Sequence, residues 1–131
     1  MDGNFTFAVE PDRDLIRTRM AGFFDDDAFV RYVAARAAAF RQLRCGANQH
    51  LWLVDLREMK IQSQEMVTAF STILSDPAYR SKRLGFVVAT SLARMQLRRA
   101  LGDRCGNGVQ LFVDANEAEA WVLTGSLRAA A

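Results

Sequence analysis

The sequence predicts an α/β domain: an N-terminal β-hairpin followed by parallel β-α units, with about four helices. Three observations predict it. Apolar runs at Leu51 to Val54, Leu84 to Ala89 and Val109 to Val113 alternate with amphipathic helical stretches. That alternation implies parallel strands joined by right-handed crossovers, because a tight turn cannot return the chain to the same end of a sheet. The run Leu51 to Val54 is continuously apolar rather than alternating, as in a strand covered on both faces. Finally, 131 residues, half of them apolar, can bury about two-thirds of their unfolded surface. Residues 1–131 read as one domain without repeat or linker, and 125–131 as a frayed tail.

The elements follow in order. Phe5, Phe7 and Val9 alternate with polar or small residues, Pro11-Asp12 supplies a turn, and Asp14 to Met20 resumes an extended pattern until Gly22 breaks it. Asp25, Asp26 and Asp27 then place negative charge where a helix N-terminus stabilises it. The helix is expected from Asp26 to Leu43, with Phe29, Val33, Ala37 and Phe40 as its buried stripe. After the loop Cys45 to His50 comes the strand Leu51 to Val54. Ser63 caps a second helix with apolar positions Met66, Val67, Phe70, Ile73 and Leu74, and Asp76-Pro77 ends it. The strand Leu84 to Ala89 leads to Thr90-Ser91, which caps a third helix facing inward through Ala93, Leu97, Ala100 and Leu101. Past the last strand, Asp114 and Glu117 have capping-box spacing and open a final helix through Trp121.

Composition narrows the setting. No run approaches the ~20 apolar residues that cross a bilayer, and the start MDGNFTF has neither basic nor apolar leader character. A cytoplasmic protein is expected. Cys45 and Cys105 lack a close Cys or His partner, which fits idle thiols in a reducing compartment and neither zinc nor CxxC chemistry.

The element order and several local segments resemble the SpoIIAA-like and STAS superfamily, in its uncharacterised bacterial branch. The hairpin ending near Gly22, Leu53-Val54-Asp55-Leu56-Arg57, the run Gly85 to Ala89, and Val109 to Val113 leading into Glu117 to Leu123 carry the resemblance, which spans Phe5 to Leu123. It implies a mixed sheet with about four helices and a regulatory module acting through protein partners. Some STAS domains are switched by phosphorylation of a serine at the start of the second helix, within an Asp-Ser pair followed by glycine. Here the segment is Lys60-Ile61-Gln62-Ser63-Gln64. The pair and the glycine are absent, so no phospho-switch of that type is implied.

Catalytic and metal constellations are sparse. Nucleophilic hydrolysis needs a base within hydrogen-bond reach and a third group to orient it; His50, the single histidine, precedes a strand at the edge away from the usual site. The dense acidic group Asp25 to Asp27 is explained by helix capping, and no glycine-rich phosphate loop follows a strand. Neither a cofactor nor a metal is expected.

Open parallel sheets place ligands beyond the carboxyl ends of their strands. Those ends hold Asp55, Arg57, Thr90 and Ser91, with Ser63 at a helix start, and these are the candidate ligand or partner surface; routine capping explains several of them equally well. Between Arg80 and Arg104 seven cations face one anion, a net +6 in a chain of +2. The helical arginines Arg94, Arg98 and Arg99 form a basic face, either plainly solvated or suited to an acidic partner. Without interleaved aromatics, single-stranded nucleic acid fits poorly.

The expectation is therefore a non-enzymatic regulatory module that binds a protein, a second copy of the chain included. The alternative is a small-molecule or lipid-binding domain, with Met66, Phe70 and Ile73 lining a cavity between sheet and helices. A cavity of several hundred cubic ångströms favours the alternative; a filled core with exposed apolar residues favours protein binding.

Overall fold

The structure is a computed structural model, and it describes residues 2–127. Five strands, β1 (Asn4–Glu10), β2 (Leu15–Gly22), β3 (Leu51–Met59), β4 (Arg83–Val87) and β5 (Val109–Phe112), form one sheet in the order β1-β2-β3-β4-β5. β1 pairs antiparallel with β2 in an unbroken register from Asn4↔Ala21 to Glu10↔Leu15. The remaining pairs are parallel, as the alternation of runs and helices requires. Helices α1 (Asp26–Phe40), α2 (Gln64–Leu74), α3 (Ser91–Leu101) and α4 (Ala115–Thr124) complete a mixed α/β architecture with the sheet and four helices that the resemblance implies.

Side-chain alternation along the strands sorts the core into two layers. Ile16, Trp52, Val54, Leu84 and Phe86 face α1, α2 and α3 in the larger cluster. Leu15 and Leu51 face Trp121 and Val122 of α4 in the smaller one. α4 lies so close to β4 that a Cβ at Gly85 would stand 2.7 Å from Val122 Cγ2, which is why a strand otherwise rich in bulky residues has glycine there. Sequential right-handed crossovers put three helices on one face, leaving α4 to cover β3, β4 and β5 alone on the other. On that side Leu15 of β2 is still buried against α4, while Thr6 and Ala8 of β1 are exposed.

Helix starts are capped where the residue types require. Asp25, Ser63, Thr90 and Asp114 accept backbone N–H bonds from Ala28, Met66, Ala93 and Glu117 at 2.8 to 3.1 Å. Several boundaries differ from the sequence expectation. α1 stops at Phe40 rather than Leu43, its end closing in tight turns through Gln42 and Leu43. Its fully buried residues are Ala28, Tyr32, Arg36 and Ala39; Phe29, Val33 and Phe40 pack half-buried on the flank, with Phe29 against Phe70 of α2 at 5.1 Å. The stripe is rotated because α1 presses two amphipathic side chains, Tyr32 and Arg36, onto the sheet. β3 runs five residues past Val54, its later part pairing with β2 up to Met59. β4 ends at Val87, before Ala89. Of the expected frayed tail, Gly125 caps α4 in the left-handed conformation at φ 77°, and residues 128–131 lie outside the described residues.

Candidate functional site

The carboxyl ends of the parallel strands meet the starts of α2 and α3, and one side chain joins them. Gln62, 9% exposed, accepts the N–H of Phe24 at 2.8 Å and donates to the carbonyls of Gly22 and Lys60. Its own backbone N–H donates to Gln96 Oε1 at 2.9 Å, while Gln96 Nε2 donates to the Gln62 carbonyl at 3.0 Å. The ends of β2 and β3 and the middle of α3 are thus clasped by two glutamines.

Beside the clasp lies an apolar cavity of about 90 Å³ between the sheet, α2 and α3. Met20, Leu56, Phe70, Phe86 and Leu97 line it, with Lys60, Gln62 and Gln96 as its polar members. Phe70 is where the ligand-binding alternative places it, but Met66 and Ile73 are not among the lining residues. Met66 belongs to the buried core and Ile73 packs against that core, its carbonyl accepting from Arg36. The volume holds a few waters or a small apolar group, well short of the ~300 Å³ at which small-ligand sites begin.

Outside the cavity, α3 shows solvent an unexpected face. Leu92 is 58% and Met95 59% exposed, and Ile61, beside the clasp, is 43% exposed. Arg98 and Arg99 are exposed and Arg94 half-buried; none of the three enters an ion pair among the described residues. Thr90 caps this helix and Ser91 opens it, exposed. Ser63 stands at the start of α2, its hydroxyl oxygen taken by the Met66 N–H.

Asp55 and Arg57 lie elsewhere. Arg57 donates through Nε and its terminal nitrogen to both Asp55 oxygens, at 3.0 and 2.8 Å. This pairing holds the Asp55 carboxyl below its ordinary range. Asp55 lines a second groove, about 280 Å³, on the α4 side with Arg17, Arg19 and Glu119. Its charges neutralise one another: Arg17 bridges Glu10 and Glu119, and Arg19 meets Glu58. The candidate residues therefore fall into two groups on opposite layers, Ser63, Thr90 and Ser91 in one and Asp55 and Arg57 in the other.

The opposite end of the sheet brings His50 Nε2 within 2.8 Å of Ser81 Oγ. A serine and a base at that distance is half of a nucleophilic arrangement. Here both are buried, no carboxylate bonds the other ring nitrogen among the described residues, and neither lines the cavity or the groove described above. Burial, with Arg36 nearby, pushes the His50 imidazole down to about 4. Its role is to tie the start of β3 to the segment before β4. Among the described residues no three His, Cys, Asp or Glu side chains cluster as metal ligands would, and none of the helices is long and apolar enough to cross a membrane.

The clasp is what sequence reading missed. Gln62 sits one residue before a helix cap and Gln96 one residue before the apolar position Leu97. A glutamine beside a buried stripe was the available signal, but burial of its amide becomes visible only when β2, β3 and α3 are brought together.

Among solved structures, an uncharacterised protein of the DUF3478 family with a SpoIIAA-like fold, from Shewanella loihica PV-4, is similar over 92% of this chain and 94% of that chain. The TM-score is 0.70 at 13% sequence identity, so the likeness is one of fold. No protein-family model matches the sequence, and no curated protein does.

Proposed function

We propose that this protein is a non-enzymatic protein-interaction module that docks an acidic, partly apolar partner surface on the outward face of α3. The observation that carries the reading is the composition of that face. Leu92 and Met95 stand more than half exposed beside Arg94, Arg98 and Arg99. An apolar centre with a charged rim is the ordinary make-up of a protein interface. These arginines enter no ion pair among the described residues and are available to pair across it. Thr90, Ser91 and Ser63, at the neighbouring helix starts, extend the surface.

The test uses the protein that co-purifies with the untagged chain from its own cells. Leu92→Glu with Met95→Glu is expected to weaken binding at least tenfold with the fold intact. Arg94, Arg98 and Arg99 changed together to Gln are expected to slow association and flatten its salt dependence, with stability altered by less than ~0.5 kcal/mol. Undiminished binding by both variants contradicts the reading.

A second reading, a small apolar ligand held between α2 and α3, is favoured by the lining of the 90 Å³ cavity and by the two hydrogen bonds through which Gln96 of α3 meets Gln62. Enlarging it requires α3 to move away from Gln62.

A further inference from the structure

The two edges of the sheet are finished differently. An edge strand offers a row of unpaired N–H and C=O groups to any other strand, and proteins guard against this with short strands, charges, prolines, bulges or covering loops. β5 is guarded. It is four residues long, and its preceding turn folds back so that Gly106 donates its N–H to the Val109 carbonyl at 2.9 Å.

Among the described residues β1 lacks these guards along its length up to Val9. It is seven residues long, NFTFAVE, without proline or lysine, and its one charge, Glu10, sits at its end and is paired with Arg17. All seven residues pair with β2 without a bulge, so the free edge is continuous. The inner face of the strand is incompletely covered as well: Phe5, Phe7 and Val9 pack on the core but remain half-buried. Above β1 lies α1. With Phe29 turned to α2 and Tyr32, Arg36 and Ala39 turned to the sheet, a 100° step per residue sets Arg31, Ala35 and Ala38 on the flank overhanging the free edge. Two alanines there permit close approach of a second helix.

We infer that β1 is a self-association edge, and that its occupant is a second copy of this chain paired β1 to β1, antiparallel about a two-fold axis. Such an axis matches the edge to itself, and every group that one strand offers the other accepts. The two sheets become one continuous sheet of ten strands. The half-buried Phe5, Phe7 and Val9 are covered by their equivalents, and the alanine flanks of the two α1 helices face each other. A register centred on Phe7 sets Thr6 opposite Ala8 of the second copy. Both are exposed on the open face of the sheet, so their side chains can be changed without touching the core.

Sedimentation of the full chain tests this. The wild type is expected at twice the chain mass of 14.7 kDa, and Thr6→Lys with Ala8→Lys, which sets like charges across the two-fold, is expected at the single mass with an unchanged circular dichroism spectrum. Residue-resolved hydrogen exchange on the wild type gives a reading that depends on no variant. Every amide from Asn4 to Glu10 is protected in the paired dimer, whereas alternate ones exchange freely if β1 is a bare edge. A monomeric wild type at ~100 μM, a double-lysine variant that remains dimeric, or alternate exchange along β1 each overturns the inference. Leu92→Glu with Met95→Glu leaves this dimer intact, so loss of the α3 surface and loss of the β1 edge are distinguishable.

Discussion

The two ends of the larger core layer are closed in opposite ways. At the amino ends of β3 and β4 the packing is dense and aromatic. The Arg36 guanidinium carbon lies 4.7 Å from the Tyr79 ring, 5.5 Å from Phe40 and 5.9 Å from Trp52, its terminal nitrogen donates to the Ile73 carbonyl at 3.1 Å, and His50 and Ser81 close the gap beside it. At the carboxyl ends, two glutamines bridge elements over a cavity, and exposed Leu92, Met95 and Ile61 surround them. Both ends bury polar groups, but the second has a cavity beneath them and leaves Leu92 and Met95 more than half exposed, whereas at the first Tyr79 is 37% exposed. Titratable groups alone direct attention to the sealed end: the histidine–serine pair and the buried arginine belong there, whereas the exposed apolar side chains lie beside the glutamines.

The sealed end predicts the largest effects. Arg36→Ala removes a buried side chain from among three rings and is expected to cost about 3 to 4 kcal/mol in urea unfolding. Arg36→Met, which keeps the volume, is expected within ~1 kcal/mol of wild type. The buried Nε finds no hydrogen-bond partner among the described residues and burial pushes the guanidinium pKa down, both signs that the charge is costly to desolvate. If methionine costs as much as alanine, the end is held by the charge and not by packing.

His50 sharpens the same comparison through pH. Folded, its imidazole is neutral until about pH 4; unfolded, it takes up a proton near pH 6.5. The unfolded chain therefore binds the additional proton between those values, so stability is full above pH 6.5 and falls as pH drops toward 4, by up to ~3 kcal/mol. Unfolding free energies for wild type and His50→Gln across this window are expected to converge as pH falls. A pH-independent difference between them would show that the histidine is protonated in place.

Most of the sealed end was invisible in the sequence, although the fold around it was not. Apolar runs such as Leu51 to Val54 and caps such as Ser63 and Thr90 act through neighbours a few residues away, and they appear where the pattern puts them. The rotation of α1 depends instead on Tyr79 and Trp52, distant in sequence, which make a buried place for Arg36; a charged residue on a helix otherwise reads as solvent-facing. The candidate site divides in the same way. Asp55 and Arg57 are two apart on a strand and find each other locally, whereas Gln62 and Gln96 are 34 residues apart and meet only through the crossover.

The clasped end predicts a smaller change. Gln96→Ala leaves the Gln62 N–H and carbonyl without their partner and is expected to cost about 1 to 2 kcal/mol, with faster hydrogen exchange in α3 and unchanged exchange at the start of β3. Equal loosening at both ends would remove the distinction between them.

The central claim, that the outward face of α3 binds protein and the cavity behind it is only a small packing space, is tested most directly by native mass spectrometry of the untagged chain purified from its own cells. The account predicts complexes with polypeptide, a second copy or a different protein, that release the chain at its sequence mass when denatured, and loss of the heterologous complex in Leu92→Glu with Met95→Glu. A chain that retains a small apolar molecule under native conditions, releases it on denaturation and carries no heterologous polypeptide would contradict it, and would assign the function to the space between α2 and α3.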